Sequence, residues 1–183
     1  MFEDSRSKRV IFVSHCILNQ NAKIDGCAHY PGAVRELVDV IVTSGCGIVQ
    51  MDCPELLHLG LDRQVEIGSE RTIESEDSRV AELMEAPAGR ACCREVASQV
   101  AQQMEQYVRH GFTVVGVLGV NGSPTCGVEI GWRADTEVAE PGILIRELVA
   151  ACARRGLSVR ARGIKAKDPD GAVRAAREIV EAA

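Results

Sequence analysis

The run Thr-Val-Val-Gly-Val-Leu-Gly at 113–119 carries no charged side chain and no polar alternation. A strand with one wet face alternates; one apolar throughout must be covered on both faces, as in the middle of a parallel sheet with helices on either side. The rest of the chain meets that demand. Short β-branched runs at Arg9–Ser14 (RVIFVS), 46–51 (CGIVQM) and 157–161 read as further strands. Between them lie stretches with helical spacing: Val34, Leu37, Val38, Ile41 and Val42 within 33–44, and Val96, Val100, Met104 and Val108 within 91–110. Two more helices are predicted, at 143–155 and from Asp168-Pro169 to the C-terminus, with Val173, Ile179 and Val180 facing inward. The second opens with an N-cap and a proline at the first helical position. Gly45, Gly111 and Gly156 supply the stops. The predicted fold class is therefore α/β, a single domain with a short, mostly parallel, Rossmann-like sheet flanked by helices. Strand order is not legible.

The expected organisation is a flexible N-terminus at 1–8 and one domain at 9–183, with an irregular insertion around 52–90. That insertion is charged, carries Gly60, Gly68, Pro87 and Gly89, and is predicted to hold one short helix near 78–85. A polar loop from 15 to 32 contains the turn signals Asp25-Gly26 and Pro31-Gly32. At 183 residues the chain can bury a core without covalent staples. A formal charge of −5 argues against a nucleic-acid partner. No window approaches the ~18 consecutive apolar residues of a membrane span. The polar first nine residues lack a secretory h-region, so a cytoplasmic location is expected.

Eight cysteines in such a chain call for a role other than disulfides. No CxxC pair occurs, which removes the local signature of zinc ribbons and thioredoxin-like sites. Three of them stand just beyond predicted strands: Cys16 after the first, Cys53 after the second, Cys126 after the third. In a parallel sheet those strand ends share one edge, where such folds hold ligands. Three thiols distant in sequence are thus expected on one rim. Zinc, an iron–sulfur cluster with one open iron and a metal-free thiol site all remain compatible with that spacing. Glu55, two residues from Cys53, and Ser123, three before Cys126, are the acid/base candidates, and Glu55 is expected to be partly buried so that its carboxylate can serve as a base.

Taken in order, Val13-Ser14-His15-Cys16-Ile17-Leu18, Cys53-Pro54-Glu55 and Asn121-Gly122-Ser123-Pro124-Thr125-Cys126-Gly127 resemble the motifs of the thiouracil desulfidase family, over roughly residues 10–132. The resemblance implies a 4Fe-4S cluster held by Cys16, Cys53 and Cys126, with the fourth iron open to the sulfur of a thiolated nucleobase. It implies Glu55 as the group that activates water and Ser123 as an aid to proton transfer, the products being the oxo-base and sulfide. The partner is then a small thiolated base, with no nucleic-acid polymer and no membrane; oligomeric state is not implied. Departures lie in substrate-facing loops: 17–22 lacks a glycine common in the family, and 56–63 lacks its glycine pair and proline, although Arg63 is a candidate match for a family arginine. A related thioamide-like substrate is the corresponding expectation. The alternative from another class is a non-catalytic module that carries a cluster or sulfide for a partner.

Other residues have a bland reading beside the functional one. Cys46 and Cys152 read as core packing, as do Cys92 and Cys93, while Cys27 is the best accessory thiol. His15 is either a hydrogen-bond partner of the site or loop packing; His29, His58 and His110 look peripheral. Asn19 and Asn121 are candidate substrate contacts or turn residues, and Arg63 is the one member of the charged set Arg63, Glu66, Glu70 and Arg71 with a functional reading, as a substrate contact. Trp132, the only tryptophan, either stacks on a planar base or packs.

Overall fold

In the computed structural model, which describes residues 4–65, 68 and 70–182, the apolar run becomes β3 (Thr113–Val120) and lies inside the sheet. β1 (Arg9–Ser14) pairs with it on one side and β6 (Ala161–Ile164) on the other, while β2 (Gly47–Met51) flanks β1. The order is β2-β1-β3-β6 and every pairing is parallel. This is the α/β fold expected.

The pleat assigns alternate residues of β1 to opposite cores. Ile11 and Val13 join Leu37 and Ile41 of α2 (Arg35–Thr43) and Ile179 and Val180 of α7 (Pro169–Glu181). Val10 and Phe12 face Val96, Val100 and Met104 of α5 (Pro87–Arg109) and Leu144 and Leu148 of α6 (Ile143–Ala153). The result is three layers, helices over each face of the sheet. Gly45 and Gly156 take positive φ where helices stop, and the Asp168 side chain accepts the Gly171 N–H with Pro169 at the helix start. Val42 and Val108, expected on inner faces, are exposed.

Three differences from the sequence reading have physical causes. Residues 52–90 are largely helical rather than irregular. Pro54 opens α3 (Pro54–Leu59), a reciprocal Thr72–Ser75 capping box opens α4 (Ile73–Glu85), and Pro87 opens α5 one turn earlier than the apolar spacing indicates. Pro87, read as part of the irregular stretch, instead starts a helix. The fourth strand lies at 161–164, not 157–161; Leu157 and Val159 instead pack beside the α5–α6 core. Finally, β4 (Gly131–Arg133) and β5 (Thr136–Val138) form a hairpin whose two-residue turn, Ala134-Asp135, has positive φ at both positions. Such turns favour Asn-Gly or Asp-Gly, so this one left no signal. Glu66 of the charged set lies outside the described residues. Among the described residues no helix is long and apolar enough to cross a membrane.

Candidate functional site

The carboxyl edge of the sheet brings the site together. β1 runs directly into α1 (His15–Leu18), whose second residue is Cys16. β2 ends at Met51, and Cys53 is the N-cap of α3 with Glu55 in its first turn. β3 ends at Val120, where the 121–127 loop folds back so that Val120 donates to the Cys126 carbonyl at 2.9 Å. Carbonyls of that loop accept the first amides of α6: Ile143 N–H bonds Pro124 O at 3.1 Å and Leu144 N–H bonds Thr125 O at 3.1 Å. Gly119 and Gly127 make the fold-back possible, since a Cβ at either would collide with a backbone carbonyl, Cys126 O or Ile130 O.

An ionised Cys53 would oppose ionisation of Cys16, an ionised Cys126 that of Cys53, and an ionised Cys16 that of Cys126. Burial pushes the Cys16 thiol up to about 12, against the pull of Lys23 and with the help of Cys53 and Glu55. Cys126, only 6% exposed, is likewise pushed up to about 12 by burial, Cys16 and Glu55, while the Ser14 and Thr125 hydroxyls oppose the shift. Cys53 is raised as well, by burial and then Glu55 and Cys126. The bare protein therefore holds three neutral, inert thiols in an environment that a cationic group would reverse. His15 Nδ1, adjacent to Cys16 in sequence, is buried without a hydrogen-bond partner among the described residues. An all-sulfur donor set of this kind suits a thiophilic iron–sulfur group. Among the described residues no three His, Cys, Asp or Glu side chains close in on the position of a single metal ion.

Glu55 is 7% exposed, and its charge adds to the upward shift of each of the three thiols. Its Oε1 accepts the Thr125 hydroxyl and its Oε2 lies 3.5 Å from Arg63 Nε. Arg63 is 2% exposed and has a positive φ; it donates to Gly60 O at 2.7 Å and Ala22 O at 2.6 Å, and its own carbonyl accepts from Arg79 at 2.8 Å. The structure thus sets Arg63 as a buried brace for Glu55, not as an open substrate contact. Ser123 Oγ accepts the amides of Thr125 at 3.2 Å and Cys126 at 3.0 Å and lies 3.2 Å from Thr125 Oγ1. Ser123, Thr125 and Glu55 are thus linked by hydrogen bonds beside the Cys126 amide, with Thr125 between the two acid/base candidates.

The amides go elsewhere. Asn121 accepts the Val128, Glu129 and Ile130 amides through Oδ1 and donates to Glu129 Oε2 at 2.8 Å, so it organises the loop. Asn19 caps the turn Gln20–Ala22, bonding Asn21 at 3.2 and 3.0 Å. Gln20, overlooked in the sequence, is 2% exposed and donates to Cys16 O at 2.6 Å while accepting from His29 N–H. It pins the Cys16 loop.

Thr125 and Asp77 are the other residues that sequence reasoning missed. Thr125 was visible only as part of its motif. Asp77 on α4 has no local signature; burial and then the Glu55 charge, against Lys23, raise its carboxyl to about 6. Cys27 is half-buried; burial and then the Asp77 charge push its thiol up, against Lys23. Cys46 and Cys152 pack in the two cores, and Cys93 packs against Leu59, Val80, Met84 and Ile143, as expected of packing residues. Cys92 donates to Pro54 O at 3.7 Å. Trp132 bonds Ser78 Oγ through its indole N–H at 2.9 Å and, with Pro124, lines a cleft of about 610 Å³ between α4 and β4.

The chain is similar to an uncharacterized protein of Methanocaldococcus jannaschii, at 29% identity over 123 residues, covering 67% of this chain and 70% of that protein. No family model matches the chain, and no solved structure matches it.

Proposed function

We propose that this protein is an iron–sulfur-dependent desulfidase that removes sulfur from a thiolated nucleobase or similar thiocarbonyl compound, giving the oxo product and sulfide. What supports the reading is that Cys16, Cys53 and Cys126 follow three parallel strands at the same carboxyl edge of the sheet, with the buried carboxylate of Glu55 two residues beyond Cys53. The three cysteines would hold a 4Fe-4S cluster with one iron open. When bound, that cluster supplies a thiophilic Lewis acid that makes sulfide a better leaving group.

The chain's own side chains supply the proton chemistry. Glu55 takes a proton from the attacking water; Arg63 and Thr125 fix its two oxygens so that it presents one orientation. Ser123, with two backbone amides on its Oγ, tolerates developing negative charge and can release its proton toward the departing sulfur. The buried setting limits competing water. No net electron transfer is involved.

Anaerobic reconstitution with iron and sulfide, followed by assay of sulfide release from 2- and 4-thiouracil, tests the reading. The expected result is a brown protein with about four irons per chain that turns over thiouracil, and a Glu55→Gln variant that keeps its iron and loses turnover. A protein that binds the cluster yet releases no sulfide would instead be a carrier. Normal cluster formation with only two of the three cysteines would overturn the ligand assignment.

A further inference from the structure

We propose that the cleft between α4 and the β4–β5 hairpin binds a small aromatic carboxylate, its ring against Trp132 and its carboxylate on the guanidinium of Arg90. The cleft holds about 610 Å³, within the range of small-molecule sites, and Cys16, Cys53 and Cys126 do not line it. The ligand is therefore separate from the chemistry of the cysteine-bearing edge. Ser78 Oγ on α4 accepts the Trp132 indole N–H at 2.9 Å and the Asp135 backbone N–H at 3.0 Å, so one hydroxyl fixes both the ring and the hairpin turn. Gly142, also in the lining, is packed on the Cys126 loop; a Cβ there would lie 2.5 Å from the Thr125 carbonyl oxygen. The half-buried indole is held by its edge, and among the described residues no other aromatic ring stacks on it. Its face is left for a planar partner.

The charged groups decide what that partner carries. Glu85 gathers three guanidiniums: Arg146 Nη2 at 2.6 Å, Arg90 Nε at 3.3 Å and Arg133 Nη2 at 3.6 Å. Arg146 is fully engaged, since its Nη1 also donates to Pro141 O at 3.4 Å. Arg90 meets Glu85 through Nε, which leaves its Nη pair as a fork. Arg133 stands 3.5 Å from Glu140 as well, and neither of its contacts is as short as an ordinary hydrogen bond. Both Arg90 and Arg133 are about half exposed, so an incoming group can reach them. A fork of this kind matches a carboxylate bidentately. The lining sets Arg90, Arg133 and Arg146 against Glu82, Glu85 and Glu140, a balance of charge. One added negative charge beside Arg90 and Arg133 is accommodated there, while the two charges of a phosphate are opposed by the neighbouring carboxylates.

Trp132 is the only tryptophan, so its indole N–H gives a single nitrogen-15 NMR signal that reports from inside the cleft. Titrating the full chain with benzoate should move that signal and saturate. Benzamide, with the same ring and no charge, and cyclohexanecarboxylate, with the charge and no flat ring, should each bind about tenfold more weakly or worse. Inorganic phosphate should leave the signal in place. Arg90→Gln, a change at an exposed side chain, should weaken benzoate by about tenfold or more. Trp132→Leu, followed by saturation transfer to the benzoate protons, should lose binding. A benzoate response that is absent or does not saturate overturns the proposal. Equal binding of benzamide or cyclohexanecarboxylate, a shift produced by phosphate alone, unchanged affinity in Arg90→Gln or retained binding in Trp132→Leu overturns it too.

Discussion

Arg63 Nε lies 3.5 Å from Glu55 Oε2, both side chains are nearly sealed from water, and the same guanidinium reaches the Ala22 carbonyl in the first loop. The pair ties α3 to the segment that follows Cys16. Arg63→Met is expected to destabilise the fold by about 3 kcal/mol, because it leaves a buried carboxylate unpaired. Combining it with Glu55→Gln should cost less than the sum of the two single changes, since the charge that lacked a partner is gone. Urea unfolding of the four proteins measures this, and additive effects would show that the two groups do not interact.

Gly127 makes a second prediction about the Cys126 loop. A Cβ there would meet Ile130 O, a backbone atom that cannot swing aside. Gly127→Ala is expected to cost about 2 kcal/mol through overpacking and to lower iron uptake, because the loop that carries Cys126 has to shift. Circular dichroism melts and iron analysis on reconstituted protein report the two effects. Wild-type values for both would mean the loop is not held as tightly as its packing indicates.

The sheet and the placement of the thiols were legible because both depend on hydrophobic pattern and strand ends. Unbroken apolar character marked β3, and the parallel sheet then carried Cys16, Cys53 and Cys126 to one edge. What the sequence hid were features made by single local interactions. Pro54 and Pro87 start helices where none was placed, and α4 depends on a Thr72–Ser75 cap in a charged stretch with little apolar periodicity. Within the site, Glu55 and Ser123 were identifiable by type and spacing. That Arg63 points its donors inward, and that Asn121 bonds three amides of its own loop, follows from backbone conformations that spacing does not reveal.

Asp77 gives a pH dependence whose sign can be worked out. Its carboxyl is raised to about 6 in the fold, by burial first and then by the Glu55 charge, from an ordinary value of 3.8. A group raised on folding contributes stability that is present below its unfolded value and lost as pH rises through the folded one. At pH 8 the charged Asp77 is therefore a burden that is absent at pH 3.5. Asp77→Asn removes it, so the variant should gain on wild type between pH 4 and 7 by on the order of 1 kcal/mol, the group being partly screened by solvent. Urea unfolding at several pH values checks the trend; a difference that does not change with pH would place Asp77 in an ordinary solvated setting.

The eight thiols should sort into classes when alkylated and mapped by mass spectrometry. Alkylation needs a thiolate and access. In the protein without iron, Cys46, Cys93, Cys126 and Cys152 are buried, while Cys16, Cys27, Cys53 and Cys92 are partly open. Because Cys16 and Cys126 are pushed up to about 12, neither should react appreciably at pH 8, and the partly exposed Cys16 should respond steeply as pH rises above the ordinary thiol range. Cys27 and Cys92 are raised by burial as well, but they are less enclosed, and they should be modified first. Iron loading should suppress the rise in Cys16 modification as pH is raised above the ordinary thiol range, while leaving Cys27 and Cys92 as reactive as before. Protection of Cys27 in place of Cys16 would move the cluster to a different set of ligands; equal reactivity of all eight in the folded chain would mean the cysteine-bearing edge is open.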